Sequence, residues 1–192
     1  MITTIFYILA ITTTLSIYLK TKKISTLSNH QGIKLTNQAF LFFALAYIIQ
    51  FLTSSTSLPI SKLSILQALT QPVQIYLFTI AALYLSTSIF WKNSQHDKTP
   101  LHMIALLVTI LSNFTNVLTL TLITIYAYTT IKSYINYQTK KTNFSEFYLI
   151  AIVLLLTSNT LNLLNFSLLT SQAMTTTAFT IFLYGTLKTI KN

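Results

Sequence analysis

The side chains best placed for chemistry in this sequence are uncharged amides at helical spacing. Gln67, Gln71 and Gln74 are spaced i, i+4 and i+7, so a helix would carry all three on one face. Asn159 and Asn162, at i and i+3, form a second amide face in the same way. Because amides both donate and accept hydrogen bonds, the two faces predict a ligand-binding site for a small neutral molecule with hydroxyl or amide groups.

The shortage of ionisable side chains excludes most catalytic chemistry. Of the 192 residues, 12 are lysine, none is arginine or cysteine, and the two acids are Asp97 and Glu146. So few carboxylates leave little room for acid–base or carboxylate–metal chemistry, and the missing thiols exclude zinc–thiolate sites. We therefore predict that the protein is not an enzyme and that it binds no metal and no cofactor. His102, the histidine nearest to an apolar segment, is expected to be solvated or interfacial.

The elements that must position these amides are apolar helices in a membrane. Hydrophobic residues make up 53% of the chain and charged residues 7%, with a mean hydropathy of +0.64. Soluble domains carry about 25% charged residues. We therefore predict one all-α domain over residues 1-192, in a multi-pass protein of the cell membrane. The net charge of +10 does not predict nucleic-acid binding, because the lysines lie between the long apolar segments.

Seven segments are predicted to cross the membrane as a helix bundle. The region 100–135 decides between six and seven. As a single helix it would be roughly 54 Å long, against a hydrocarbon core of about 30 Å, so two spans fit better. The predicted spans are Ile2–Leu19, Asn37–Thr53, Leu63–Trp91, Pro100–Asn113, Val117–Tyr134, Phe144–Leu164 and Phe166–Leu187.

The distribution of lysine favours seven spans over six. Lysine concentrates on the cytoplasmic side of short loops. With seven spans and the N-terminus outside, Lys62 is the lone outer lysine and the other eleven lie inside, whereas six spans divide the 12 lysines equally. We therefore predict an N-terminus outside and a C-terminus inside. The inner lysines would be Lys20, Lys22, Lys23, Lys34, Lys92, Lys98, Lys132, Lys140, Lys141, Lys188 and Lys191.

Two local patterns predict where helices begin on the inner side. Pro100 suits the first turn of the fourth helix, because its missing N–H is not needed there. Asn143 followed by Glu146 resembles a capping box, which would open the sixth helix.

The predicted topology places the amides in the outer half of the bundle. Helices three and seven run inward, so their early residues are outer, and helices two, four and six run outward, so their late residues are outer. Gln50 and Gln172 follow the same rule as the two amide faces. One interpretation is an uncharged polar pocket open to the outside. The other is that the amides hold helices together, at about 0.6 kcal/mol per interhelical hydrogen bond, or cap helix ends.

The first three and the last three helices show an internal similarity. Leu52-Thr53-Ser54 near the end of helix two matches Leu156-Thr157-Ser158 in helix six. Helices three and seven both end in an aromatic residue followed by lysine. These matches suggest a 3+1+3 repeat with helix four as the inverter, an arrangement of parallel repeats that occurs in transporters. The alternative is chance, since the chain is rich in Thr and Ser.

The 3+1+3 layout resembles the SWEET sugar transporters, which share the predicted orientation. That family uses prolines as hinges in both triplets, whereas here Pro72 alone lies well inside a span and the second triplet has none. Two other seven-helix families are excluded by missing signatures. The last span, Phe166–Leu187, has no mid-helix lysine of the kind that holds retinal in microbial rhodopsins, and no Asn-Pro motif of G-protein-coupled receptors.

A short basic loop leads into a phenylalanine-rich second helix. Tyr18-Leu19-Lys20 and Gly32-Ile33-Lys34 flank the loop, and Phe40-Leu41-Phe42-Phe43-Ala44-Leu45-Ala46-Tyr47 follows. This region of about 40 residues resembles small seven-helix membrane proteins of archaea and the membrane domains of prokaryotic sensor proteins. The resemblance implies a sensory or receptor-like scaffold. Because the chain ends at Asn192, we expect any output to pass through the basic inner loops to a separate protein.

Together these features predict a non-catalytic, sensory or receptor-like membrane protein. Its ligand-binding residues would be Gln67, Gln71, Gln74, Asn159 and Asn162. The alternatives are a small neutral-solute transporter with the 3+1+3 layout and an accessory subunit of a membrane complex. The expected partners are the lipid bilayer, a small neutral ligand and a cytoplasmic or membrane protein, and no nucleic acid is expected.

Overall fold

The computed structural model describes residues 2–27, 30–55, 60–89, 98–112 and 116–191. Within these ranges the chain is all-α, as predicted, and contains seven helices. The helices are α1 (Ile2–Leu27), α2 (Gln31–Ser55), α3 (Ile60–Ser88), α4 (Thr99–Leu111), α5 (Val117–Lys140), α6 (Asn143–Leu163) and α7 (Leu168–Lys191).

Each predicted span coincides with one helix, but most helices extend past the apolar segment. α1 continues to Leu27 and α5 to Lys140, because the lysine, glutamine and threonine residues beyond the apolar core are compatible with a helix. α3 ends at Ser88 and α4 at Leu111, and the predicted span ends Trp91 and Asn113 lie outside the described residues.

In the part of the chain that the structure describes, four helices are long and apolar enough to cross a membrane. This finding fits a membrane protein. The exposed surface is consistent with this, because large apolar side chains such as Ile5, Leu69 and Ile110 are at least half exposed. The four candidate spans are Ile2–Thr26, Gln31–Ser55, Ile65–Ser88 and Asn143–Leu163.

Six of the helices form a closed ring. Consecutive helices pack against each other in antiparallel fashion, and two further contacts, between α1 and α7 and between α3 and α5, close the ring without α4. α4 lies outside the ring against α3 and α5. At one end of the bundle α1, α3, α5 and α7 finish. We call this the lysine end and the opposite one the amide end.

The centre of the ring is filled by an aromatic septum, which consists of Phe40 and Phe43 from α2 and Phe179 and Phe182 from α7. All four side chains are buried. The Phe40 and Phe182 rings meet edge to face with centroids 5.3 Å apart, and the Phe43 and Phe179 centroids are 5.4 Å apart. Aromatic rings at these separations attract each other by about 0.5–1.5 kcal/mol beyond their area burial. The septum therefore joins α2 to α7 across the interior of the ring.

α4 is much shorter than its neighbours. Its 13 residues span about 20 Å, less than the hydrocarbon core of about 30 Å. One face packs on the ring through Ala105 and Val108, and the other presents a continuous apolar surface. Since α4 stops at Leu111, it covers only the half of α3 nearest the lysine end. The exposed apolar residues are Met103, Ile104, Leu106, Leu107, Ile110 and Leu111.

The predicted helix starts are right for α4 and wrong by one residue for α6. Pro100 lies in the first turn of α4. The cap of α6 is Thr142 rather than Asn143, because its hydroxyl accepts a hydrogen bond from the Ser145 backbone N–H at 3.3 Å. Glu146 lies in the first turn of α6, where a negative charge interacts favourably with the positive end of the helix dipole.

Gly32 allows α2 to approach the end of α3. A Cβ added at Gly32 would lie 2.5 Å from the backbone oxygen of Ser88, which cannot move without displacing α3. At Gly185 an added Cβ would lie 2.9 Å from the Phe147 Cβ, a close contact that is nevertheless longer than the 2.5 Å at Gly32 and involves no backbone atom.

We expect Gly32→Ala to lower the thermal unfolding midpoint of the detergent-solubilised protein. The clash with Ser88 outweighs the gain of about 1 kcal/mol in helix propensity that alanine brings. Gly185→Ala is the matched control and should lower the midpoint less. Equal midpoints for both variants and the parent would contradict the close packing of α2 against α3.

Candidate functional site

Uncharged polar side chains converge on a cavity in the ring at the amide end. This amide cavity has a volume of about 230 Å³ and receives residues from all six ring helices. Among the residues that the structure describes, its lining carries no charged side chain. Its polar lining residues are Tyr7, Tyr47, Gln50, Thr119, Tyr126, Ser158, Asn159, Asn162, Ser171, Gln172, Thr175 and Thr176, and Phe43 and Phe179 of the septum also line it.

Tyr7, Gln50 and Gln172 form a polar cluster that joins α1, α2 and α7. The Tyr7 hydroxyl interacts with the side chains of both glutamines. The Oε1 atom of Gln172 is nevertheless buried without a hydrogen-bond partner, and Ser133 Oγ is the other such atom in the described part of the chain. An unpaired buried acceptor costs on the order of 1–3 kcal/mol, so a ligand that donates to it would be bound favourably.

Hydroxyl groups bind α6 to α7 in the wall of the amide cavity. Ser158 Oγ donates to the Ser171 backbone oxygen at 2.8 Å and lies 2.7 Å from Thr175 Oγ1. Ser171 Oγ donates in return to the Ser158 backbone oxygen at 3.1 Å. This wall presents polar atoms to the cavity while its own hydrogen bonds are satisfied, which gives a site of fixed geometry.

The glutamine face of α3 lines a second, lateral cavity of about 530 Å³. Gln67 and Gln71 are exposed there, and Gln74 donates to the Thr53 hydroxyl at a long 3.4 Å. Gln50 belongs to the linings of both this lateral cavity and the amide cavity. The lateral cavity lies beyond Ser112, where α4 has ended and no longer covers α3.

The structure therefore places the five predicted ligand-binding residues in two adjoining cavities. Asn159 and Asn162 line the amide cavity, whereas Gln67, Gln71 and Gln74 line the lateral one. Phe78, Leu118 and Thr119 belong to both linings, so one layer of side chains separates the two amide faces. The residues that line both cavities, and so form the boundary between them, are Gln50, Phe78, Leu118 and Thr119.

A third cavity, of about 300 Å³, opens at the lysine end of the same ring. Residues from α1, α2, α3, α5, α6 and α7 line it, as they line the amide cavity. His30 and Lys140 are its ionisable side chains apart from Tyr148, and the rest of its polar lining is uncharged. The polar residues of this lysine-end cavity are Thr21, Thr36, Ser88, Asn136, Thr142, Ser145, Thr186 and Thr189.

His102 is more constrained than the sequence suggested. Its Nδ1 atom lies 2.6 Å from the Tyr76 hydroxyl and its Nε2 atom 2.7 Å from the Tyr84 hydroxyl. The half-buried imidazole is held from both sides by two tyrosines two turns apart on α3, which the sequence did not indicate. Lys98 continues this cluster by donating to Gln38 Oε1 at 2.9 Å. No group of three histidine or acidic side chains that could hold a metal ion occurs in the described ranges.

Sequence reasoning missed the tyrosines and hydroxyls of the amide cavity. Tyr7 and Tyr126 line the cavity. They were not predicted as site residues, because aromatic residues at helical spacing usually indicate core packing. Ser158 and Thr175 were not recognisable, because many of the described Ser and Thr hydroxyls bond to their own helix, as Thr14 does to Ala10.

We expect His102→Leu to loosen α4, because the two tyrosine contacts are its principal polar attachment to α3 in the described structure. Backbone amides of α4 should exchange with deuterium faster than in the parent, with little change in α2 or α6. Thr109→Val is the control, since the Thr109 hydroxyl bonds to Ala105 within α4 itself. Unchanged exchange in α4 would show that apolar packing alone holds the helix.

Comparisons of the chain with protein-family models, curated proteins and solved structures find no significant match.

Proposed function

We propose that this chain is a non-catalytic, receptor-like membrane protein that binds a small uncharged polar molecule in the amide cavity. The observation that carries the proposal is the convergence of uncharged amides and hydroxyls on a cavity next to the unpaired acceptor of Gln172. Such a lining offers hydrogen bonds to hydroxyl or amide groups and no fixed charge to attract an ion.

We further propose seven membrane crossings with the amide end outside and the lysine end inside. The nine lysines whose side chains the structure describes all belong to the lysine half of the bundle, which the positive-inside rule assigns to the cytoplasm. Because α4 is short, its crossing would require local thinning of the bilayer. The nine are Lys20, Lys22, Lys23, Lys34, Lys98, Lys132, Lys140, Lys141 and Lys188.

Equal spacing of buried residues relates α1 to α5 and part of α2 to α6, which favours an internal repeat over these two helix pairs. Each buried position of α1 has a buried counterpart in α5 that follows it by the same number of residues, and four of the eight buried positions of α2 have one in α6 at the same displacement. The pairs are Ala10 and Leu122, Thr14 and Tyr126, Ile17 and Thr129, Thr21 and Ser133, Ala39 and Ala151, Phe40 and Ile152, Phe43 and Leu155, and Ala46 and Ser158. The displacement differs from that of the Leu52-Thr53-Ser54 match and does not extend to α3 and α7.

The lysine end would be the surface through which a receptor acts on a cytoplasmic or membrane protein. Exposed Lys22 and Lys23 at the end of α1 and Lys140 and Lys141 at the end of α5 give it a positive charge. An acidic surface on a partner would be the complement of this charge.

The cysteine-free chain allows a direct test of topology. A single cysteine replacing Thr3 should react with a membrane-impermeant maleimide on intact cells, whereas one replacing Gln138 should react after permeabilisation only. Six crossings would place Gln138 outside. Labelling of both cysteines on intact cells would therefore contradict the seven-crossing topology.

Ligand binding is tested by thermal stabilisation of the purified protein with neutral polyols, sugars and amides. A true ligand at 100 times its Kd should stabilise the protein by about 2.7 kcal/mol. Asn159→Leu removes an amide from the cavity at nearly constant volume and should abolish the stabilisation at the same concentration.

The matched control is Gln138→Leu, which removes an exposed amide from α5 at the lysine end, away from the amide cavity. This variant should leave the stabilisation intact. A ligand that stabilises Asn159→Leu as strongly as the parent would place its site elsewhere. If Gln71→Leu alone abolished the effect, the site would be the lateral cavity.

A further inference from the structure

The amide cavity and the lysine-end cavity are lined by the same six helices. They therefore lie one behind the other inside the ring, with the aromatic septum between them. We propose that the two cavities are the ends of one path, and that the protein passes a small uncharged polar solute across the membrane when the septum opens. This inference rests on the proposed function for the identity of the solute class.

The barrier between the cavities is thin. Phe43 and Phe179 line the amide cavity, and Tyr148 lines the lysine-end cavity. Between them lie Phe40 and Phe182, with Phe182 5.1 Å from the Tyr148 ring and 5.3 Å from the Phe40 ring. Five aromatic side chains in three successive layers thus close the path in this structure, and the four phenylalanines among them form no side-chain hydrogen bonds.

The contacts that close the septum join the two triplets of helices. Phe40 and Phe43 belong to α2 in the first triplet, and Phe179 and Phe182 belong to α7 in the second. Their contacts are dispersion and ring contacts without direction-specific hydrogen bonds. A rotation of one triplet against the other would separate the rings and leave the packing inside each triplet intact.

One hydrogen bond holds the triplets together just below the septum. The Tyr148 hydroxyl on α6 donates to the Leu85 backbone oxygen on α3 at 2.7 Å, and Ser88 Oγ lies 3.4 Å from it. This contact closes the lysine-end side of the path. Its loss should favour states that are open toward the lysine end.

Both cavities offer the same chemistry to a solute. The lysine-end cavity provides the hydroxyls of Thr36, Ser145 and Thr186 and the amide of Asn136, as the amide cavity provides its own hydroxyls and amides. A neutral polar solute finds hydrogen bonds on each side of the septum. Lys140 and His30 lie in the lysine-end cavity alone, so an ion would lack matching charge in the amide cavity.

The path is tested by the accessibility of one cysteine from both sides of a sealed proteoliposome. Thr175→Cys places a thiol in the amide cavity of the cysteine-free chain. An impermeant methanethiosulfonate reagent should react with it rapidly from the amide side. From the lysine side we expect roughly 1–10% of that rate, which is the share of time that a minor open state occupies.

Two further variants make the result decisive. Thr3→Cys, at the amide end but outside the cavity, measures leakage and inverted molecules, and its lysine-side rate is the baseline. Tyr148→Phe added to Thr175→Cys should raise the lysine-side rate about five-fold, the change expected from losing one net hydrogen bond. Urea and glycerol influx above that of empty liposomes, raised by the same Tyr148→Phe change, would support the same path.

A lysine-side rate for Thr175→Cys at the Thr3→Cys baseline, with and without Tyr148→Phe, would overturn the path. Ligand stabilisation that persists in that case would leave the proposed binding function standing. Passage of reagent without any ligand stabilisation sensitive to Asn159→Leu would instead overturn the binding site and keep the path.

Discussion

The structure depends on the rule that polar groups inside an apolar bilayer must find hydrogen-bond partners within the protein. The many hydroxyls of this chain obey it locally, as Thr79 and Thr186 do when they donate to the carbonyl four residues earlier in the same helix. A helix can therefore be rich in threonine and still pack like an apolar one. Some polar side chains depart from this local pattern and link neighbouring helices, as Ser158 of α6 does to Ser171 of α7 in the wall of the amide cavity.

The ring follows from the same rule. Six long helices enclose two polar cavities and expose apolar residues outward, while the aromatic septum fills the middle of the ring between the cavities. α4 has no place in the ring because its 13 residues carry an apolar outer face and two buried residues, Ala105 and Val108. Its shortness uncovers the glutamines of α3, which accounts for a polar lateral cavity on the side of the bundle. His102 compensates by attaching α4 to Tyr76 and Tyr84.

The helices were predictable from the sequence, whereas the division of the site was not. Apolar length set the number and type of the helices, and Pro100 marked the start of α4. The spacing of Gln67, Gln71 and Gln74 placed them on one face, but it could not show that α4 would stop before reaching them. Which hydroxyls would point across a helix pair also depends on helix rotation, and sequences rich in Thr and Ser contain no signal for that. The same limit applies to Tyr148, whose partner, a backbone oxygen of α3, leaves no trace in residue types.

The central claim is that the interior of the ring is polar and accessible to water at the amide end, while the outer face of α4 contacts lipid. Nitroxide spin labels on single cysteines replacing Asn159 and Leu107 test it directly in reconstituted protein. We expect the label at Asn159 to be relaxed mainly by the water-soluble reagent nickel ethylenediaminediacetate, and the label at Leu107 mainly by oxygen, which concentrates in lipid. Stronger relaxation of the Asn159 label by oxygen than by nickel would contradict the account, because that face would then point into the bilayer.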